Sequence, residues 1–335
     1  CIHASVISRM ARQGRSLLHP SGVDIPPRSA YHERKTRGKA DEQMDTSFGI
    51  QQKGKRNLIT DVAGITVGHC TLADGDVQTG VTALLPHQGD LFHDRCPAAV
   101  HVINGFGKSI GLVQVNELGT IETPLLLTNT LSVGTAATAL VKYMLERNAD
   151  IGCDTGTVNP MVFECNDGHL NDIRGLHVTE QNALDALANA ADDFEEGAVG
   201  AGSGMSCYSL KGGIGSASRV FELYGNKYTV GALLLTNFGT LRDLTIGGER
   251  VGERLYQKKE AEKAAAEQQD KGSVIIIIAT DAPVSARQLQ RVARRAQSGI
   301  ARTGSISGNG SGEIALAFTT ANRIPHYSPK KPIAV

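Results

Sequence analysis

The chain is predicted to fold as an α/β domain, and three observations carry that prediction. Residues 274–279 (VIIIIA) form a short, uncharged, β-branched run of the kind buried on both faces of a sheet. Two stretches rich in Ala and Leu, 130–148 (TLSVGTAATALVKYMLERN) and 179–194 (TEQNALDALANAADDF), show helical rather than alternating periodicity. Glycine is abundant, at 38 residues, while Trp is absent and aromatics are few, so tight turns and close backbone approaches are expected rather than a stacking platform for bases. At 335 residues the chain can bury a large core without disulfides.

Residues 1–57 are polar, mixed in charge and broken by Pro20, Pro26 and Pro27, and are expected to form a disordered tail. Met44, shortly before the first patterned segment, is a candidate true start of the functional chain. A single domain is expected over 58–335. Within it, 59–72 (ITDVAGITVGHCTL) and 79–86 (TGVTALLP) read as strand and hairpin elements, and 98–105 (AAVHVING) as a buried strand. A further strand is expected in 227–239 (KYTVGALLLTNFG), turning at Asn237-Phe238-Gly239. Residues 249–271 are charged and Ala-rich without a continuous apolar face, and should be exposed. Asp281 and Pro283 give start signals for a helix on which Leu289, Val292, Ala293, Ala296 and Ile300 share one face. Arg287, Arg291, Arg294, Arg295 and Arg302 occupy its other side and are expected to be solvated. Residues 313–318 (EIALAF) are expected as the final strand.

Composition excludes several classes. The 34 basic and 34 acidic residues cancel, so no global field favours nucleic acid or an anionic membrane, and small neutral partners fit better. No apolar run approaches a membrane span. Cys1, Cys70, Cys96, Cys153, Cys165 and Cys207 are scattered without a C-x-x-C pair, which predicts free thiols in a reducing, cytoplasmic compartment. The ten histidines lack metal-ligand spacing, so neither a metal nor a cofactor is implied. Residues 104–109 end like a phosphate loop, but the first glycine that motif needs would fall at Val102. The Gly-rich stretch 197–219 holds no G-x-G-x-x-G and reads as close packing or a pocket rim.

Two places keep chemical interest. Gly272-Ser273 joins the charged stretch to the apolar run, and two readings stand: Gly272 caps a helix before an ordinary strand, or the bond is cut and Ser273 becomes an N-terminal residue. In GNGSGEIALAF, Ser311 and Glu313 stand two apart at the start of a strand, so their side chains project to one face. That pair is either a solvated strand-edge feature or a carboxylate able to hold an ammonium or tune a hydroxyl.

The blocks NLITDVAGITVGHCTL, RCPAAVHVINGFGKSIGLVQVNELGTIETPLLLTNT, GTVNPMVFECNDGHLNDIRG, GMSCYSLKGGIGSASR, GSVIIIIATDAP and ARTGSISGNGSGEIALAF resemble successive blocks of the DmpA family. That family comprises the L-aminopeptidase/D-amidase-esterases and β-peptidyl aminopeptidases. The resemblance implies an αββα sandwich, similar to but topologically distinct from the N-terminal-nucleophile hydrolases. It further implies a zymogen that cuts itself at Gly272-Ser273 into an α chain and a β chain (273–335) headed by the nucleophile Ser273. Ser311 and Glu313 correspond to the assisting serine and acid, and Asn237 to the oxyanion-stabilising asparagine. Lys211 matches a lysine near the site in related polyamide-oligomer hydrolases. Asn166 stands where several relatives carry Tyr, which alters the substrate pocket. The implied activity is removal of N-terminal L-, D- or β-aminoacyl groups from short peptides, amides or esters, by a homo-oligomer of αβ units, a tetramer. Three alternatives stand beside it: an amidohydrolase of other linear amide oligomers, an acyltransferase resembling the ornithine acetyltransferases, which expose Thr where this chain has Ser273, and an inactive oligomeric relative.

Overall fold

The computed structural model describes residues 51–260 and 272–327. In chain order the first half contains β1 (Thr66–Asp74), β2 (Val77–Leu85), β3 (Asp94–Gly105), α1 (Leu112–Leu118), β4 (Thr120–Ile121), β5 (Leu125–Asn129), α2 (Val133–Leu145) and β6 (Met161–Cys165). After α3 (Glu180–Ala188) come β7 (Ser206–Cys207), β8 (Leu210–Lys211), β9 (Gly213–Leu223), β10 (Asn226–Asn237) and α4 (Val251–Glu260). The last elements are β11 (Ser273–Thr280), α5 (Ala286–Ala301), β12 (Gly312–Thr319) and β13 (Ile324–Pro325).

Two sheets stack face to face. One runs β1-β2-β5-β6, and the other runs β13-β3-β12-β11-β10-β9 with β4 beside β3. Because side chains alternate along a strand, each sheet feeds two cores. Leu125, Leu127, Met161 and Phe163 meet Leu233, Leu235, Ile275, Ile277, Ile314 and Leu316 between the sheets. Leu126, Val162, Val81 and Ala83 face outward and are covered by Ala136, Ala139 and Leu140 of α2 and Ala183 and Ala186 of α3. On the far side Leu234, Val274, Ile276, Ala315 and Ala317 lie under Leu289, Ala293, Ala296 and Ile300 of α5. The layers are therefore helices, sheet, sheet, helix, the expected αββα order. β11 has helix-side and sheet-side cores on its two faces, which explains why its sequence is apolar throughout rather than alternating.

Several boundaries differ from expectation for physical reasons. The helix expected over 179–194 ends at Ala188, because Ala191 exchanges both backbone hydrogen bonds with Val67 at 3.0 Å and draws the chain into an extended bridge on β1. Helix α5 begins after Ser285, whose side chain accepts Gln288 N while Gln288 Oε1 accepts Ser285 N. Asp281, expected as the start signal, instead accepts Thr229 N at 2.7 Å. The strand 313–318 is followed by the short β13. Val251 of α4 packs on the outer core, and a Cβ on Gly252 would stand 1.9 Å from Leu241 O, so this part of the charged stretch is docked rather than exposed. The rest of that stretch, 261–271, lies outside the described residues, as do residues 1–50 of the tail expected over 1–57. Ordered contacts start before residue 58: Gln52 O accepts Val220 N at 2.8 Å, and Asn57 Oδ1 accepts Arg219 Nη1 at 2.9 Å. Among the described residues no helix is long and apolar enough to cross a membrane.

Candidate active site

Ser273 is the first residue of β11, and its two neighbours across the sheet are fixed by register. Asn237 at the end of β10 pairs with it antiparallel, and Gly312 at the start of β12 pairs with it parallel. Ser273 is 4% and Asn237 7% exposed, so this row of residues sits at a buried strand end. Ser273 Oγ accepts from Asn166 N at 3.2 Å and from Asn237 Nδ2 at 3.4 Å. The Asn237 amide cannot flip without loss, because Oδ1 accepts Ser206 N at 2.9 Å while Nδ2 also donates to Asn166 O at 2.8 Å. Cys165, the last residue of β6, also faces the Ser273 hydroxyl, and burial pushes its thiol well up.

Gly272 is glycine because of what surrounds it. A Cβ there would stand 2.4 Å from Phe238 Cα and 2.7 Å from Asn237 O. The helix-cap reading concerns residues 261–271, which lie outside the described residues. The Gly272 carbonyl accepts Gly312 N at 3.3 Å, so the bond next to Ser273 carries a donor on its oxygen.

Ser311 and Glu313 flank Gly312. Ser311 Oγ donates to Glu313 Oε1 at 3.0 Å, and both residues are fully buried, Glu313 on β12 and Ser311 just before it, with β12 lying between β3 and β11. The solvated strand-edge reading is therefore wrong. By alternation Glu313 shares the helix-side face of Val274 and Ala315, whereas Ser273 shares the sheet-side face of Ile275. The pair thus adjoins the main chain at Ser273 rather than lying on the side of its Oγ. Asn104 holds this corner, its Nδ2 reaching the carbonyls of Ser311 at 2.5 Å and of Gly308 and Asn309 at 3.2 Å.

Lys211 is placed differently from expectation. Its Nζ donates to the carbonyls of Gly202, Met205 and Gly212, each at 2.9 Å, and burial lowers its pKa to about 8. It braces the Gly-rich segment, whose Ser206 orients Asn237. Asn166 is exposed, and it contacts Ser273 through its main chain; its side-chain oxygen accepts Gly168 N at 2.9 Å.

Sequence reasoning missed two buried carboxyls. Glu164 on β6 accepts Lys108 N at 2.8 Å and the Thr130 hydroxyl. A Cβ on Gly107 would stand 3.2 Å from Glu164 Oε1 and 3.5 Å from Gly312 Cα, so only a glycine separates this carboxylate from the Ser273 row. A lone Glu inside the apolar strand MVFEC was the available signal. Asp167 is wholly buried beside Asn166, and nothing in a polar Asn-Asp-Gly turn announced that.

Residues 57–334 match Peptidase family S58. The chain is 41% identical over 290 residues to the β-peptidyl aminopeptidase BapA of Sphingosinicella microcystinivorans, covering 80% of this chain and 72% of that protein. Among solved structures, the PH0078 protein from Pyrococcus horikoshii OT3 aligns with a TM-score of 0.81 at 53% identity, over 87% of this chain and 82% of that one. The L-aminopeptidase D-Ala-esterase/amidase from Ochrobactrum anthropi, described as a new variant among the Ntn hydrolase fold, aligns at 0.77 and 37% identity, over 85% and 80% of the two chains. The chain belongs to Peptidase family S58: it is a hydrolase, and within that class a peptidase.

Proposed function

We propose that the chain is a self-processed serine aminopeptidase, acting on short peptides, amides or esters that carry a free N-terminal amine. The observation that carries this reading is Ser273 Oγ, buried at a strand end under the Asn166 N–H and the Asn237 amide and preceded by a glycine with no room for a side chain. In processing, Oγ attacks the Gly272 carbonyl carbon, the C–N bond breaks, and an ester forms as the Ser273 amine is released; water then hydrolyses the ester. Gly312 N–H, already on the Gly272 oxygen, stands where the negative charge develops. The freed α-amine titrates at about 7.7 to 8.0 and serves as general base for the hydroxyl in later turnovers. Ser311 and Glu313, beside the main chain of Ser273, hold that amine. Asn237 supplies the fixed donor for the substrate oxyanion, a contribution of about 3 to 4 kcal/mol in comparable sites. Glu164, across Gly107, is better placed than Glu313 to receive the substrate ammonium. The names of the family relatives support aminopeptidase action, including on β-aminoacyl groups. We take the active form to be a tetramer of αβ units, each one domain over 58–335.

Two experiments test this. Purified protein should run as two fragments on a denaturing gel, the smaller beginning Ser-Val-Ile, and Ser273→Ala should stay intact and inactive; cleavage of that variant at the same bond would refute self-processing. An aminoacyl-anilide should be hydrolysed and its N-acetyl form should not, because acetylation removes the charge and adds bulk. Equal rates on both would instead favour a general amidohydrolase.

A further inference from the structure

Asp167 follows Asn166, and none of its surface reaches solvent. Three segments close on it. Asn171 Nδ2 donates to Asp167 Oδ1 at 3.0 Å, and Thr79 of β2 faces the same carboxyl, whose Oδ2 is buried without a hydrogen-bond partner among the described residues. Thr79 Oγ1 itself accepts from Asn129 Nδ2 at 2.8 Å. From the Gly-rich segment, Gly204 approaches so closely that a Cβ on it would stand 2.9 Å from Asp167 Cβ. The Asp167 carbonyl accepts both Leu170 N and Asn171 N at 3.0 Å, closing a turn at the end of β6. The residue one step earlier, Asn166, directs its N–H to Ser273 Oγ and its carbonyl to Asn237 Nδ2.

We propose that Asp167 is a positioning residue for hydrolysis, its ionised carboxylate anchoring the turn that aims the Asn166 main chain at Ser273 and Asn237. The inference rests on Ser273 being the nucleophile. It also explains a cost in stability. Burial lifts the Asp167 carboxyl to about 6, Glu164 acts in the same direction, while Thr79 and Asn171 oppose it. Asp76, His169 and Asp172, in the neighbouring turns, are exposed to solvent. A carboxyl whose folded pKa exceeds its unfolded value of about 3.9 contributes stability that is present below about pH 4 and is lost as the pH rises through about 6. At neutral pH the ionised Asp167 therefore costs the fold more than an uncharged Asn would.

The test compares processed wild type with Asp167→Asn, kcat being referred to the cleaved fraction read from a gel. With the α-amine as base, the acid limb of log kcat in the wild type should fall with a slope of about one near neutrality and about two below pH 6. In Asp167→Asn the slope should stay near one throughout, and kcat at pH 8 should drop about tenfold or more with KM roughly unchanged. Its thermal midpoint at pH 8 should equal or exceed that of the wild type. Should this variant fold poorly, Thr79→Val gives a second reading: loss of the hydroxyl that faces the carboxylate should move the second step to higher pH. Superimposable profiles for wild type and Asp167→Asn, or an unmoved second step in Thr79→Val, would overturn the assignment. A missing limb near neutrality in all three proteins would overturn the α-amine reading instead, and leave the difference between them as the measure of Asp167.

Discussion

Ser311 and Glu313 show how a residue pattern can be legible while its setting is not. The spacing of two predicted that their side chains share a face, and in the structure they hydrogen-bond at 3.0 Å. Their burial on an interior strand could not be read, because it depends on β3 and β11 arriving from 170 residues apart. Burying a carboxylate carries a desolvation cost even where a hydroxyl partners it, so a stable fold alone gives little reason to keep one beside the Ser273 main chain. Glu313→Gln or Ser311→Ala should therefore leave a folded, processed protein whose turnover is slower by about 10² or more. Rates near wild type in a correctly processed Glu313→Gln protein would return the pair to a purely structural role. Asn166 makes the complementary point. The sequence directed attention to its side chain, but the main chain makes the contact, so any residue except proline can present the same N–H at this position.

At the scale of elements, strands were legible where one physical cause dominated. The continuous apolar run of β11 follows from having a core on each face, and the turn after β10 follows from Gly239 at φ +81. The β7–β8 hairpin was not legible. Its turn residues Tyr208 and Ser209 both adopt positive φ, at 52 and 56, without being Gly or Asn, at a cost of roughly 1 to 2 kcal/mol each. Distant contacts hold the turn there: Tyr208 N donates to Phe238 O at 2.8 Å, its hydroxyl bonds Thr303 Oγ1 at 2.8 Å, and its ring meets Phe238 edge-on. Local propensity argues against such a turn, so no local pattern could reveal it. Its consequence is the Ser206 N–H that fixes the Asn237 amide. The Gly-rich stretch around it was correctly read as close packing, since Cβ atoms on Gly200, Gly204, Gly212 and Gly213 would all approach neighbours within 2.4 Å.

For the molecule as a whole, the position of the proposed cut at Gly272-Ser273 decides what cutting can do. β11 and β12 lie beyond Ser273 in sequence but in the middle of the larger sheet, with β10 and β9 on one side and β3 and β13 on the other. Both of their faces are buried, one against the second sheet and one under α5, which also follows the cut. Separating the two fragments would expose most of both cores, at roughly 25 cal/mol for each Å² of apolar surface. Processing should therefore release only the chain ends at the Gly272-Ser273 bond and leave the fold closed. The cleaved protein should elute from a native sizing column as one species containing both fragments, at the mass of the 35.4 kDa chain or a multiple of it. Denaturant should part the fragments only in the transition that unfolds the sheets, followed by far-UV circular dichroism on the same samples. Loss of the smaller fragment on the native column, with the larger one still folded, would show that β11 and β12 are not the centre of the assembled sheet.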